Sequence, residues 1–336
     1  MPHQGTRVRR QFAVAITDSP FENGDKEQAI LGRIGAKVQQ FHCTNESEVI
    51  DAARNAHVIM CDASPVTRNV IHSLSELVGV VEYGIGYDNI DVSAATMNGI
   101  VVCNVPDFMT SEVADHAVAL ILALTRKLDR IGRSTRAGEW NWREFRPVSS
   151  LDGKTVGIIG FGSIGRQVAE RMRSFRTQVV AYDPCVPHEV MEKLGARFTD
   201  LDELLAVSDV VSIHVPLTKE TKQLIGKKEL AMLKDSVVLV NTSRGSVIDQ
   251  EALVESLRKG RIGAAGLDVL AREPPSSTDP ILGFENVIVT PHIGWYSEQS
   301  SSTLQENSAL ETERILTVKP PKHPVNPEVL SRRKLP

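Results

Sequence analysis

The feature that most restricts the fold of this chain is a repeated alternation. Short apolar runs, rich in β-branched residues, are separated by polar amphipathic stretches. One set of runs is Phe12–Thr17, Lys37–Phe41, Val58–Cys61, Val78–Tyr83 and Val101–Val105. A second is Thr155–Gly160, Val179–Asp183, Val210–Pro216, Val237–Thr242, Ala264–Val269 and Val287–Thr290. Between strands lie stretches such as Glu46–Ala56, in which Val49, Ile50 and Ala53 share one helical face. Strands that alternate with helices predict an α/β fold, in which parallel sheets are covered on both sides. Two such sets in 336 residues predict two doubly wound parallel-sheet domains, each with its own core.

Composition excludes some classes. A net charge of −4 leaves no basic footprint for nucleic acid, and the arginines and lysines at the two ends (Arg7, Arg9, Arg10; Arg332, Arg333, Lys334) read as solvated tails. No apolar run is long enough for a membrane span or a secretory signal. Cys43, Cys61, Cys103 and Cys185 are widely spaced, so no metal site is expected. They read as reduced thiols of a cytoplasmic protein, with Cys61 and Cys103 packed in the core. Thr110, Ser111 and Glu112 lead into "VADHAVALILALTRKLDR", a helix so apolar that burial between domains is expected, with a hydroxyl as its N-cap. Trp140 and Trp142 stand on a loop, suited equally to a subunit contact or to local packing. The final helix is expected from about Ser297 to Leu316, and the Pro-rich "KPPKHPVNPEVL" after it is expected along the surface.

The most informative motif is "TVGIIGFGSIGRQVAERM". A strand runs into Gly160-Phe161-Gly162-Ser163-Ile164-Gly165, and a helix follows with Val168, Met172 and Phe175 on one face. Gly160 is expected to make the turn, Gly162 to let a pyrophosphate approach the backbone, and Gly165 to pack helix on strand, with the helix N-terminus facing the anion. Asp183 ends the next strand, eighteen residues after Gly165, where a carboxylate can accept hydrogen bonds from ribose hydroxyls and repel a 2′-phosphate. No Lys or Arg between Pro184 and Glu192 would neutralise such a phosphate, so NAD is expected rather than NADP.

Three further side chains stand at or beyond strand ends of the second set, where doubly wound sheets bind ligands. "VVLVNTSRGS" carries Arg244, "AAGLDVLAREPP" carries Asp268 and Glu273, and "VIVTPHIGW" carries His292. Each alone could be a solvated loop residue, but together they match one chemistry. Hydride transfer to a carbonyl leaves charge on oxygen. His292 suits the proton donor, Glu273 a partner that raises its pKa, and Arg244 a fork for a carboxylate and a carbonyl oxygen. The set reads as reduction of a 2-oxo acid or its reverse.

With "GIIGFGSIG", "NTSRGSVID", "GLDVLAREP" and "TPHIGW", the chain resembles the D-isomer-specific 2-hydroxyacid dehydrogenase family over nearly its whole length. "VCNVPDF", "EVADHA" and "PHIGWYSEQ" are most similar to the branch of the C-terminal-binding-protein corepressors, with glycerate and phosphoglycerate dehydrogenases close by. The resemblance implies Arg244, Glu273 and His292 as the catalytic set, and Asp268 and the Thr242 backbone on the nicotinamide carboxamide. It implies Thr110 on the cofactor phosphate, Pro216 and Thr221 on the adenine side, and Trp295 on substrate. It also implies a substrate domain of residues 1–107 and 299–336, an NAD domain of residues 108–298, and a homodimer built through the NAD domain and an arm from about Ala137 to Phe145. The partner so implied is a small 2-oxo or D-2-hydroxy acid. An NADH-sensing scaffold that binds proteins is the alternative; use of formate is disfavoured by Glu273, where that branch carries an amide.

The same resemblance assigns the "VVEYGIGYDNID" loop, after a strand of the first set, to the substrate carboxylate, held by the backbone amides of Gly84, Ile85 and Gly86 beside Tyr83. Many relatives carry Arg two positions before Gly84; here it is Glu82. Glu82 either points away or pairs with a nearby Arg, or it lines the distal pocket with Asp62 and disfavours a second anion there. The second reading predicts a substrate such as glyoxylate or hydroxypyruvate, without a strongly anionic far end.

Overall fold

The structure, a computed structural model, describes residues 11–336; Arg7, Arg9 and Arg10 lie outside the described residues. The chain divides into two compact units, one running to Phe108 and resuming at Glu298, the other Met109–Ser297.

The first unit holds five parallel strands, β1 (Ala13–Ile16), β2 (Lys37–Gln40), β3 (Val58–Cys61), β4 (Gly79–Glu82) and β5 (Val101–Cys103), in the order β2-β1-β3-β4-β5. β3, β4 and β5 are buried along their length, as apolar strands covered on both faces must be. Val49 of the helix Glu46–Ala52 is fully buried in this core. The final helix spans Glu298–Leu316 and packs on β3, β4 and the helix Asp25–Leu31.

The Pro-rich tail lies largely at the surface, as expected, but it is also anchored to the edge of the sheet. Pro324 bridges Cys103 antiparallel, and the Val325 amide donates to the Val102 carbonyl at 2.8 Å. Asn326 is 1 % exposed: its oxygen accepts the Val102 amide at 2.9 Å, and its Nδ2 donates to the Ile100 carbonyl and the Thr96 hydroxyl. The tail satisfies backbone groups at the β5 edge of the sheet, a need that periodicity cannot reveal.

The second unit holds seven parallel strands: β6 (Thr155–Ile159), β7 (Gln178–Tyr182), β8 (Arg197–Phe198), β9 (Val210–Ile213), β10 (Val238–Asn241), β11 (Ala264–Leu267) and β12 (Val287–Val289). Their order, β12-β11-β10-β9-β6-β7-β8, reverses at β6, which makes its carboxyl end the switch point where such sheets bind ligands. β8 escaped the sequence reading because two residues carry no period. The apolar helix Thr110–Thr125 buries Val113, Ala114, Ala117, Val118, Leu120, Ile121 and Leu124. Ala114, Ala117, Val118, Leu120, Ile121 and Leu124 belong to its own unit's core, with Val156, Ile158 and Val168. Its N-cap is Met109, not a hydroxyl; Thr110 is the first helical residue, and the Ser111 hydroxyl accepts from Arg171 at 2.8 Å.

All four cysteines are free thiols, three of them buried. No helix among the described residues is long and apolar enough to cross a membrane, and no group of acidic, His or Cys side chains among them could hold a metal.

Candidate active site

The glycine turn begins where β6 ends. Gly160 has φ +92°, a conformation that side chains rarely adopt, and a Cβ there would lie 2.8 Å from the His214 carbonyl. The helix Ser163–Arg173 starts immediately after Gly162, which no side chain caps, so its first-turn amides remain available to a ligand. A Cβ on Gly165 would lie 2.1 Å from the Gly160 carbonyl oxygen, whereas one on Gly162 would meet nothing within 4 Å. The turn is therefore tight beneath and open above. Val168 and Met172 are buried as expected, but Phe175 lies past the helix and is 40 % exposed.

Asp183, directly after β7, closes one side of the turn. Its Oδ2 accepts the Phe161 amide and its Oδ1 the Cys185 amide, both at 2.8 Å. Two buried polar atoms beyond the neighbouring strand ends, His214 Nδ1 after β9 and Thr242 Oγ1 after β10, have no hydrogen-bond partner among the described residues. Such orphans at a switch point mark a surface that expects a polar ligand. Together with the uncapped helix and the open space over Gly162 they fit a dinucleotide. Pro216 and Thr221 lie together after β9, the Thr221 hydroxyl donating to the Pro216 carbonyl at 2.6 Å.

Beyond β10 to β12 the three candidate catalytic side chains converge. His292 Nδ1 and Glu273 Oε2 are 2.7 Å apart, and the other Glu273 oxygen accepts the Leu270 amide at 2.8 Å. The Glu273 carboxylate raises the His292 pKa through that bond, outweighing partial burial. Partial burial opposes ionisation of Glu273, but its bonds to His292 and Leu270 prevail and hold its pKa below the usual carboxylate range. Arg244, beyond β10, stands close enough for its charge to act on both. Gly245 makes the approach possible, because any Cβ there would overlap the Leu270 carbonyl.

A network that sequence reading missed aims His292. Asp268 is 3 % exposed; its Oδ1 accepts the Thr290 hydroxyl at 2.5 Å and the Ile293 amide at 3.0 Å, and its Oδ2 the Gly294 amide at 2.9 Å. His116 Nε2 lies 2.9 Å from the same hydroxyl and 3.4 Å from Oδ1. His292 itself has φ +53°, with its amide donating to the Asp268 carbonyl at 2.9 Å. Asp268 is thus a loop anchor in addition to any role towards nicotinamide. His116 lies within "EVADHA", but one histidine on an apolar helix carries no signal without its tertiary partners. Trp295 is half-buried and packs edge-on against Tyr296.

Residues 118–294 match the family model described as D-isomer specific 2-hydroxyacid dehydrogenase, NAD binding domain. The chain belongs to this family. NAD is the cofactor of the matched domain. The chain is 39% identical over 282 residues to a glyoxylate reductase of Korarchaeum cryptofilum, covering 81% of this chain and 85% of that one. It is 42% identical over 250 residues to a D-3-phosphoglycerate dehydrogenase of Archaeoglobus fulgidus, covering 74% of this chain and 47% of that enzyme, so it spans about half the length of that relative. A glyoxylate reductase structure from Paecilomyes thermophila superposes with a TM-score of 0.85 at 29% identity, covering 95% of this chain and 99% of that one.

In the first unit the structure separates the residues proposed for substrate. The amides of Gly84, Ile85 and Gly86 donate to nothing among the described residues, while the Gly84 carbonyl is tied to the Val105 amide at 2.8 Å and the Ile85 carbonyl to Asn104 Nδ2 at 2.7 Å. Two of the loop's three carbonyls are thus engaged, while its three amides are left to donate. Tyr83 is misplaced as a substrate contact: it is 2 % exposed, and its hydroxyl donates to Glu27 at 2.8 Å inside the unit. Glu82 is not a rim residue either. It is 2 % exposed and neither points away nor pairs with an arginine; Asn89 Nδ2 and the Cys61 thiol donate to its Oε2 at 3.2 and 3.4 Å. Asp62 is half-buried beside it, its amide accepted by Asp18 at 3.0 Å. Strand alternation sends consecutive side chains to opposite faces, so Tyr83 and Glu82 could not both face a ligand.

Proposed function

We propose that this protein is an NAD-dependent dehydrogenase that interconverts a small 2-oxo acid and the D-2-hydroxy acid. The observation that carries the reading is the 2.7 Å His292–Glu273 pair, with Arg244 beside it, at the carboxyl edge of the NAD-binding sheet. When bound, NADH supplies the hydride. His292, held through Nδ1 by Glu273, keeps its proton on Nε2 and delivers it to the developing alkoxide. Arg244 orients the carboxylate and carbonyl and stabilises the charge on oxygen.

The second unit, taken as residues 108–298, is the cofactor domain. Gly160, Gly162, Ser163, Ile164 and Gly165 hold the pyrophosphate with Thr110, and Asp183 holds the ribose. Pro216 and Thr221 flank the adenine, and Thr242, Asp268 and His292 meet the nicotinamide. The first unit, residues 1–107 and 299–336, is the substrate domain, whose Gly84–Gly86 amides take the carboxylate, while Trp295 contacts the rest. Asp18 and Asp62 beyond the ends of β1 and β3 favour a far end that is not anionic, as in glyoxylate or hydroxypyruvate. Trp140 and Trp142, 91 % and 63 % exposed on the arm, support a homodimer, and four free thiols support a cytoplasmic setting.

A panel of 2-oxo acids followed by NADH oxidation tests the function. We expect turnover with glyoxylate or hydroxypyruvate above phosphohydroxypyruvate and oxaloacetate, and a loss of about 10²- to 10⁴-fold in His292→Gln with NADH binding retained. NADH binding without turnover of any 2-oxo acid would favour the protein-binding scaffold instead.

A further inference from the structure

The Gly84–Gly86 loop presents a contradiction. Its three free amides suit an anion, yet a carboxyl lies directly beneath them. A Cβ on Gly84 would have one atom within reach, Glu82 Oε1 at 4.0 Å. An ionised carboxylate there would repel the anion that the amides attract.

The hydrogen bonds around Glu82 resolve it. Both donors in contact with the side chain, Asn89 Nδ2 and the Cys61 thiol, converge on Oε2, and Oε1 has no partner among the described residues. The charged or titratable groups that face the carboxyl are Cys61 on β3, Asp62 beyond β3 and Asp18 beyond β1; none of them is a cation. Burial, then Asp62, then Asp18 push the carboxyl well above the usual carboxylate range, against the smaller pull of Asn89 and Cys61. A neutral carboxyl has one oxygen that accepts and one that carries the proton. Since Oε2 already accepts two bonds, the hydrogen belongs on Oε1, the oxygen turned towards the loop.

We propose that Glu82 acts as a neutral acid whose Oε1–H donates to the substrate's carboxylate from beneath Gly84, completing with the Gly84, Ile85 and Gly86 amides a four-donor cradle without a cation. The inference rests on the reading of this loop as the carboxylate site. An O–H donor to an anion makes a short, charge-assisted bond, so one oxygen does part of the work of a guanidinium. It also deepens the specificity argument: the site accepts the single carboxylate that every 2-oxo acid carries and provides no fixed positive charge for a second anion.

Three proteins and one probe test it. With glyoxylate as substrate, Glu82→Leu should raise KM by about 10- to 100-fold with kcat changed far less, because one donor to an anion is lost. Glu82→Gln, whose amide keeps an acceptor towards Asn89 and a donor towards the loop, should recover most of that loss. Infrared difference spectra of wild type against Glu82→Gln at about pH 8 should show a protonated-carboxyl C=O band that shifts when oxamate is added with NADH, a carboxylic acid being neutral there only if its pKa is raised. A Glu82→Leu variant with wild-type KM, equal impairment of Leu and Gln variants with matched thermal unfolding, or a carboxylate band in place of the acid band would each overturn the proposal. Absence of turnover by the wild type with every 2-oxo acid would instead sink the dehydrogenase reading itself, and the spectrum would still report whether Glu82 carries its proton.

Discussion

Two glycine loops at the ends of parallel strands, Gly84–Gly86 after β4 and Gly160–Gly165 after β6, offer bare backbone in different ways. The second launches an eleven-residue helix at once, so its donors are first-turn amides backed by the helix dipole. The first launches none: the next helix, Val92–Met97, is six residues long and capped by Asp91. There two of the three carbonyls are tied down, the amides are left over, and the remaining donor is a side chain underneath. On the proposed function, the second loop would meet a pyrophosphate common to every turnover with fixed dipoles, and the first would meet a carboxylate that arrives on different substrates with a character that one residue, Glu82, can tune.

The comparison extends to protons. The first unit buries Glu82 away from any cation, which pushes its pKa up, while the second places Glu273 against His292, which helps hold its pKa down. Environments that push two carboxyl groups apart in this way assign them different work.

The largest effect is expected where the loops differ sterically. Gly165→Ala drives a methyl into the Gly160 carbonyl and should cost about 3 kcal/mol of stability with loss of NADH binding. Gly84→Ala has room and should unfold like wild type; equal melting losses in the two variants, read by thermal denaturation, would break the contrast. Next, with His292 as the proposed proton donor, reduction of a 2-oxo acid should require its protonated form, which its raised pKa preserves past the ordinary value near 6.5. kcat/KM for reduction should therefore fall as pH climbs through that raised value. Glu273→Gln should move this alkaline limb to lower pH and cost about 10- to 100-fold at neutral pH; an unmoved limb in a pH–rate profile would remove Glu273 from the proton chemistry.

The smallest effect concerns stability. Glu82 binds its proton more tightly folded than unfolded, so the stability that it contributes is complete below the unfolded value near 4.3 and is lost as pH rises towards the folded one. Glu82→Gln lacks this loss. Its melting temperature relative to wild type should increase from about pH 5 to about pH 9, and a constant difference would mean that Glu82 titrates alike in both states.

Much of this was legible in the residues alone. Alternating runs predict parallel sheets because a strand buried on both faces must be apolar throughout, as β3, β4 and β9 are. "GFGSIG" between a strand and a helix predicts the cofactor turn because only glycine satisfies the φ at Gly160 and the contact at Gly165. Arg244, Glu273 and His292 could be named because each follows a strand end, and parallel strands present their carboxyl ends together. What only the tertiary structure decided was direction and partnership. That Tyr83 turns inward to Glu27, that Glu82 lies under its own loop with Asn89 and Cys61, that Asp268 and His116 hold the His292 loop, and that Asn326 closes the β5 edge all depend on residues 7 to 230 positions apart in sequence. Local pattern specifies which backbone a segment adopts; which buried polar atom finds which partner is settled only when the whole core has closed around it.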